Sequence, residues 1–113
     1  MKKFKNILVI KMSSLGDIVH ALPCLYELRK LYPDAKLSWL VETQFQDILP
    51  SEPYLDDKII FYKNDMKKMS LFAKFSYLRN LRKQLHSYEF DLVIDLQGLM
   101  KSNLVALLTG RSN

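Results

Sequence analysis

Four short apolar runs alternate with amphipathic stretches, and this alternation is the feature that most restricts the fold. The runs are NILVI (6–10), KLSWLV (36–41), KIIFY (58–62) and FDLVIDL (90–96). Their β-branched and aromatic residues are typical of strands buried on both faces. Because strand and helix alternate throughout, the sequence predicts an α/β fold, a parallel sheet with helices on both faces.

Two of the stretches between these runs carry apolar residues at three- and four-residue spacing, as helices do. The first lies between residues 18 and 32 and contains Pro23, which predicts a short turn from Asp17 and then a fresh helix or a kink at the proline. The second predicts a helix whose apolar residues pack inward on the sheet: Leu71, Phe75, Leu78, Leu81 and Leu85. Met66, Met69 and Phe72 are left as candidates for exposure. TQFQDIL (43–49) and LMKSNLVALL (99–108) predict two further helices.

Size and composition indicate one ordinary globular domain, spanning residues 1–113. Apolar residues make up 49% of the chain and charged residues 26%, which excludes a disordered tail. No stretch approaches the ~18 apolar residues of a membrane-spanning helix, and the N-terminal apolar run is too short for a signal peptide. We therefore expect the chain to stay in the cytoplasm. Cys24 is the only cysteine, so no internal disulfide can form.

Positive charge is concentrated between residues 63 and 83, which we call the basic segment. It carries a net charge of +6, while the rest of the chain sums to −1, because seven basic residues oppose Asp65 alone: Lys63, Lys67, Lys68, Lys74, Arg79, Arg82 and Lys83. Such a cluster indicates either an anionic partner or a solvated helix face.

Two loops with unusual residues follow the first and fourth predicted strands. They are Lys11 to Asp17 and Asp95 to Ser102, and both should lie at the carboxyl edge of the sheet, where ligands of such folds collect. Glycines 16, 98 and 110 form neither a dinucleotide fingerprint nor a P-loop. No cluster of carboxylates or histidines has convincing metal spacing, so we expect no metal.

Asp17 allows two interpretations. An aspartate that opens a helix accepts backbone N–H groups and complements the positive end of the helix dipole. The same carboxylate can accept a proton from a hydroxyl group during bond formation, and Ser13, Ser14 and Gly16 leave room for a polar ligand close to the backbone. His20, one helical turn later, is either structural or a contact to the same ligand.

A resemblance is carried by ILVIKMSSLGDIVHALP, then LSWLVE, then FDLVIDLQGLMKS. In this order and separation, these segments resemble the N-terminal half of bacterial lipopolysaccharide heptosyltransferases of glycosyltransferase family 9, of the heptosyltransferase I type. The resemblance implies a Rossmann-like domain, the N-terminal half of a GT-B enzyme. Such enzymes are inverting and metal-independent, need no cofactor, and transfer heptose from ADP-heptose to the Kdo sugar of lipid A precursors at the cytoplasmic face of the inner membrane.

By match to the family, Asp17 is the catalytic base and the basic segment around Lys67 and Lys68 meets the anionic acceptor. The residues expected to bind the acceptor are Lys11, Ser13, Ser14, Gly16, Lys67, Lys68, Gln97, Gly98 and Lys101. We expect the loops that contain Asp17 and Gln97 to face one cleft. The family's second domain, which holds most ADP-heptose contacts, has no counterpart in these residues, so the chain alone should transfer heptose poorly.

Two other classes of protein stay open. A receiver domain also alternates strand and helix and has an aspartate at a strand end, as Asp95 is, but it needs an acidic pair after strand one, where this chain has Lys11 and Met12. A nucleic-acid-binding module would explain the basic segment but would give Asp17 no purpose. We therefore expect no nucleic acid partner.

Overall fold

The structure, a computed structural model, describes residues 3–97. Its strands are β1 (Asn6–Ile10), β2 (Lys36–Glu42), β3 (Asp57–Phe61) and β4 (Leu92–Asp95). Its α-helices are α1 (Leu15–Leu31), α2 (Lys63–Lys67) and α3 (Leu71–Ser87), and a 3-10 helix spans Thr43–Ile48. The four predicted strands and the short helix after β2 are confirmed, while α2 had not been predicted. The predicted helix at 99–108 lies outside the described residues.

All the strand pairs are parallel, in the order β3-β2-β1-β4. The chain adds β2 and β3 on one side of β1 and then crosses to the other side to form β4. In open α/β sheets this reversal creates a crevice at the carboxyl ends of the two strands where it occurs. Here the crevice lies between the ends of β1 and β4.

The two faces of β1 support separate cores, as strand geometry requires. Ile7 and Val9 belong to the core on the α1 side, together with Ile18, Leu25 and Leu28 of that helix. Leu8 and Ile10 belong to the core on the α3 side, together with Leu81 and Leu85. The predicted α/β fold with helices on both faces is therefore confirmed.

One helix of 17 residues runs through Pro23, so the predicted fresh helix at that residue is wrong. Proline removes one backbone hydrogen bond. The apolar residues that α1 buries lie on both sides of the proline, at Ile18, Leu25 and Leu28, and their burial holds the two parts of the helix against the same sheet.

The helix α3 begins as the sequence predicts but packs differently. Ser70 is its N-cap, and the Ser70 hydroxyl accepts the N–H of Ala73 at 3.2 Å. Leu81 and Leu85 are buried and Leu78 is half-buried, whereas Leu71 and Phe75 are exposed, so their predicted inward packing is wrong. Met66 of α2 is half-buried against the core on the α3 side. The helix therefore reaches the sheet only from its second turn onward, and Met66 adds to the core at its beginning.

Candidate functional site

The loop after β1, residues 11–14, is joined directly to the chain after β4. The Gln97 side chain is buried, and its Oε1 accepts the N–H of Met12 at 2.9 Å and that of Ser13 at 3.4 Å. The N–H of Gln97 donates in turn to Asp95 Oδ1 at 2.9 Å. The described part of the second loop thus lies beside the first, as the sequence predicts.

Asp17 is exposed in the first turn of α1. Ser14 is the N-cap residue, and its hydroxyl lies 3.2 Å from Asp17 Oδ2, to which it donates. Among the described residues this hydroxyl, rather than a backbone N–H, is the hydrogen-bond donor found on the carboxylate. Asp17 still benefits from the positive end of the helix dipole, but its side chain does not cap the helix. The carboxylate is therefore fixed by one hydroxyl and open to a ligand.

Gly16 borders open space. A Cβ added at this position would meet no atom within 4 Å, so packing within the described chain does not demand glycine. A glycine without a packing reason, next to an exposed carboxylate, is consistent with a ligand that approaches the backbone closely.

The residues that precede this turn are held by their main chains. The carbonyl of Lys11 accepts the indole N–H of Trp39 at 2.9 Å, and the carbonyl of Met12 accepts the N–H of Glu42 at 3.1 Å. Lys11 and Ser13 are half-buried, and Ser14 is exposed. The loop that carries the serines is thus fixed by β2 and, through Gln97, by the chain after β4.

A pocket of about 210 Å³ lies at the ends of β2 and β3. It is lined by Glu42, Thr43, Gln44, Lys63, Asn64 and Asp65. Glu42 is a nearly buried carboxyl at the end of an apolar strand, a position that the sequence analysis passed over. The sequence does indicate this position, because a charged residue that ends a buried strand at this edge of a sheet is a candidate for ligand contact.

Lys67 and Lys68 are exposed at the end of α2. The helix α2 follows β3, which stands two strand spacings from β1, roughly 10 Å across the sheet. The OH of Tyr77 on α3 accepts the N–H of Tyr62 at 2.9 Å, and burial raises the pKa of Tyr77. This contact ties α3 to the start of α2. The two lysines thus follow β3, whereas Asp17 follows β1.

The predicted acceptor contacts stay predictions, and the structure adds a role for one of them. Gln97 holds the loop after β1 through its Oε1, a role that the sequence did not predict. Gly98 and Lys101 lie outside the described residues. Within residues 3–97, no group of three or more His, Cys, Asp or Glu side chains is arranged to hold a metal ion. The same part of the chain contains no helix with the length and apolar character needed to cross a membrane.

Comparison with known proteins finds relatives of one kind by sequence and by structure. No family model matches the chain. Lipopolysaccharide heptosyltransferase 1 of Pseudomonas aeruginosa is 31% identical over 108 residues, which are 95% of this chain and 30% of that protein. The protein of the same name from Escherichia coli K12 is 34% identical over 105 residues, 92% of this chain and 32% of that protein. The chain thus spans less than half of the length of these relatives.

Solved structures agree with the sequence relatives. Escherichia coli heptosyltransferase WaaC with ADP superimposes with a TM-score of 0.76 at 33% identity, over 91% of this chain and 33% of that chain. WaaC with ADP-2-deoxy-2-fluoro heptose gives a TM-score of 0.78 at the same identity and the same coverage. A family 9 glycosyl transferase from Veillonella parvula, 22% identical over 95% of this chain and 30% of that one, shares the fold with a TM-score of 0.78. By sequence and by fold, the chain is therefore a relative of the bacterial lipopolysaccharide heptosyltransferases, which are glycosyltransferases, and it corresponds to 30% to 33% of their length.

Proposed function

We propose that this chain is the acceptor-side domain of an inverting heptosyltransferase that moves heptose from ADP-heptose to the Kdo sugar of a lipid A precursor. The observation that carries the proposal is Asp17, an exposed carboxylate held by Ser14 at the crevice between β1 and β4. The sequence relatives are lipopolysaccharide heptosyltransferases. A structural relative has been solved with ADP and with a fluorinated ADP-heptose, which supports ADP-heptose as donor.

Asp17 acts as general base in the proposed reaction. A Kdo hydroxyl attacks the anomeric carbon of heptose, the bond from that carbon to the β-phosphate oxygen breaks, and ADP leaves with the electron pair. The proton of the attacking hydroxyl passes to the Asp17 carboxylate. No metal ion or cofactor takes part in this proposal. A donor-binding domain beyond this chain positions ADP-heptose, because a base without a positioned donor loses the proximity contribution to the rate.

The acceptor is anionic through its Kdo carboxylates and lipid A phosphates, and the basic segment offers the opposite charge. Lys67 and Lys68 are exposed and attract such groups through water. The serines and Gly16 leave space for the sugar itself. The chain then works at the cytoplasmic face of the inner membrane, as a peripheral protein and without a nucleic acid partner.

The test is Asp17→Ala in the enzyme that contains this chain together with its donor domain. If Asp17 is the base, transfer of heptose to Kdo-lipid A, measured by mass spectrometry, falls by about 10²- to 10⁴-fold. Folding and acceptor affinity stay nearly unchanged, because the Asp17 carboxylate contacts only the Ser14 hydroxyl among the described residues.

Asp34→Ala is the matched control, since Asp34 is also exposed but follows α1 at the opposite edge of the sheet. This variant should keep wild-type turnover. Wild-type turnover in Asp17→Ala, with a loss of only about 1 kcal/mol in the free energy of unfolding, would show that the carboxylate merely stabilises the helix start.

A further inference from the structure

Three large apolar side chains are exposed at the beginning of α3. Leu71, Phe72 and Phe75 expose 82%, 84% and 75% of their surface, respectively, and we call them the apolar patch. Together with Ser76 and Arg79 they line one shallow groove. Isolated exposed apolar residues are ordinary, but contiguous ones mark an interaction surface.

Helical geometry explains why these residues share a surface. Leu71, Phe75 and Arg79 follow one another at four-residue spacing along α3. Leu71 and Phe75 continue the stripe of Leu78, Leu81 and Leu85, but they lie before the part of the helix that packs on the sheet and are therefore exposed. Phe72, the residue after Leu71, lines the same groove as Leu71, Phe75 and Arg79. The exposed side of α3 is therefore apolar in its first two turns and basic beyond them, at Arg79, Arg82 and Lys83.

The charges around the apolar patch select the partner. Lys67 and Lys68 precede the patch and Arg79 lies within its groove, in a segment whose only acidic residue is Asp65. A second copy of the chain would bring a second charge of +6 against the first, which is repulsive. Aromatic and aliphatic side chains beside lysine and arginine suit the headgroup region of an anionic bilayer, where rings enter the apolar boundary and cations meet phosphates.

We propose that the apolar patch inserts into the interface of an anionic membrane, with the basic segment on the headgroup phosphates around it. This inference rests on the proposed function, because a protein that acts on a lipid-anchored acceptor must meet the bilayer. It goes beyond that function by assigning the contact to α3, away from Asp17.

Vesicle sedimentation tests the contact without any sugar. The wild-type chain should bind vesicles of phosphatidylcholine with phosphatidylglycerol and bind pure phosphatidylcholine much more weakly. Phe72→Ser with Phe75→Ser should lower the partition constant onto the anionic vesicles by about tenfold or more, because two apolar side chains no longer enter the bilayer. Both positions are exposed, so circular dichroism should report an unchanged fold.

Two further variants separate the apolar from the ionic contribution. Leu31→Ser is the matched control, because Leu31 is 58% exposed at the end of α1, on the helix that covers the opposite face of the sheet, and its binding should equal that of the wild type. Lys67→Glu with Lys68→Glu should weaken binding at low salt and differ little from the wild type at high salt.

Three results overturn the proposal. They are equal vesicle binding by the wild type and the double phenylalanine variant, no binding by either, or a wild-type dimer in sedimentation that the same substitutions dissociate. Transfer to a water-soluble Kdo acceptor reports on Asp17 chemistry alone. A failure of membrane docking is therefore distinguishable from a failure of the proposed reaction.

Discussion

At the scale of single residues, the first turn of α1 concentrates the chemistry. Ser14 supplies the N-cap and a hydroxyl for Asp17, and Gly16 lies between them against open space. In the proposed function, a side chain at position 16 would occupy the space through which the acceptor reaches the backbone. Stability and binding therefore make opposite demands on this residue.

Gly16→Ala is expected to raise the free energy of unfolding by about 0.5–1 kcal/mol, since alanine is the better helix former and its Cβ meets no atom. The same change should weaken acceptor binding, measured by calorimetry, because the methyl group fills the approach to the loop. Unchanged acceptor affinity in Gly16→Ala would place the ligand elsewhere.

Residue roles were only partly predictable from the sequence. Gln97 was predicted as an acceptor contact, which stays a prediction, but the sequence did not indicate that its Oε1 accepts the N–H groups of Met12 and Ser13. Which partner a strand-end amide takes depends on the register between β1 and β4, and that register is set by tertiary pairing. Asp17 was easier to place, because helix starts have local signals.

At the scale of secondary structure elements, one ion pair ties α1 to the strand region at the opposite edge from the site. An Arg29 guanidinium N–H donates to Asp56 Oδ2 at 2.8 Å, and the N–H of Leu37 at the start of β2 donates to the same oxygen at 2.8 Å. Burial alone would raise the pKa of Asp56, but the Leu37 N–H and the Arg29 guanidinium outweigh it and lower the pKa below its usual value.

Asp56→Asn is expected to lower the free energy of unfolding by about 1 kcal/mol at neutral pH, a value reduced by access of water to the pair. A lowered folded pKa stabilises the fold above the unfolded aspartate value of about 3.9, and this contribution is lost as pH falls toward the folded pKa. Urea unfolding curves of variant and wild type should therefore converge in acid. Asp34→Asn should leave stability unchanged, and a constant difference between Asp56→Asn and wild type at all pH values would contradict the linkage.

Elements were predictable where local pattern and tertiary packing agree. The strands are continuous apolar runs, so burial on both faces leaves them no alternative arrangement. In α3 the apolar period begins at Leu71, yet Leu71 and Phe75 are exposed and the helix meets the sheet from Tyr77 onward. Periodicity identifies the apolar stripe of a helix but not the position along the stripe at which the helix contacts the sheet. The helix α2 was not predicted because it is too short to show a period.

At the scale of the whole molecule, β1 is one of the two inner strands of the sheet, and both of its faces are covered. It pairs with β2 and β4, and Ile7, Leu8, Val9 and Ile10 are fully buried between two cores. Amide hydrogen exchange in β1 should therefore be the slowest measured by NMR, and the exchange of β3 should be faster. Slower amide exchange in β3 than in β1 would contradict this prediction.

The architecture itself was predictable because alternation, burial and handed crossovers leave one arrangement for strands of this kind. The exposed apolar residues could not be located from the sequence in the same way. Charge counting located the basic segment, but the exposed apolar patch within it depends on how α2 and α3 pack against each other.

Trp39 lies beneath the site and is the chain's only tryptophan. Its ring is fully buried, and its indole N–H donates to the Lys11 carbonyl, where the loop after β1 begins. The molecule therefore contains its own optical reporter, because the emission of a single indole responds to the loss or shift of one hydrogen bond. Movement of the serine-bearing loop when a ligand arrives can be followed in the unlabelled protein, in real time and at the residue where the loop starts.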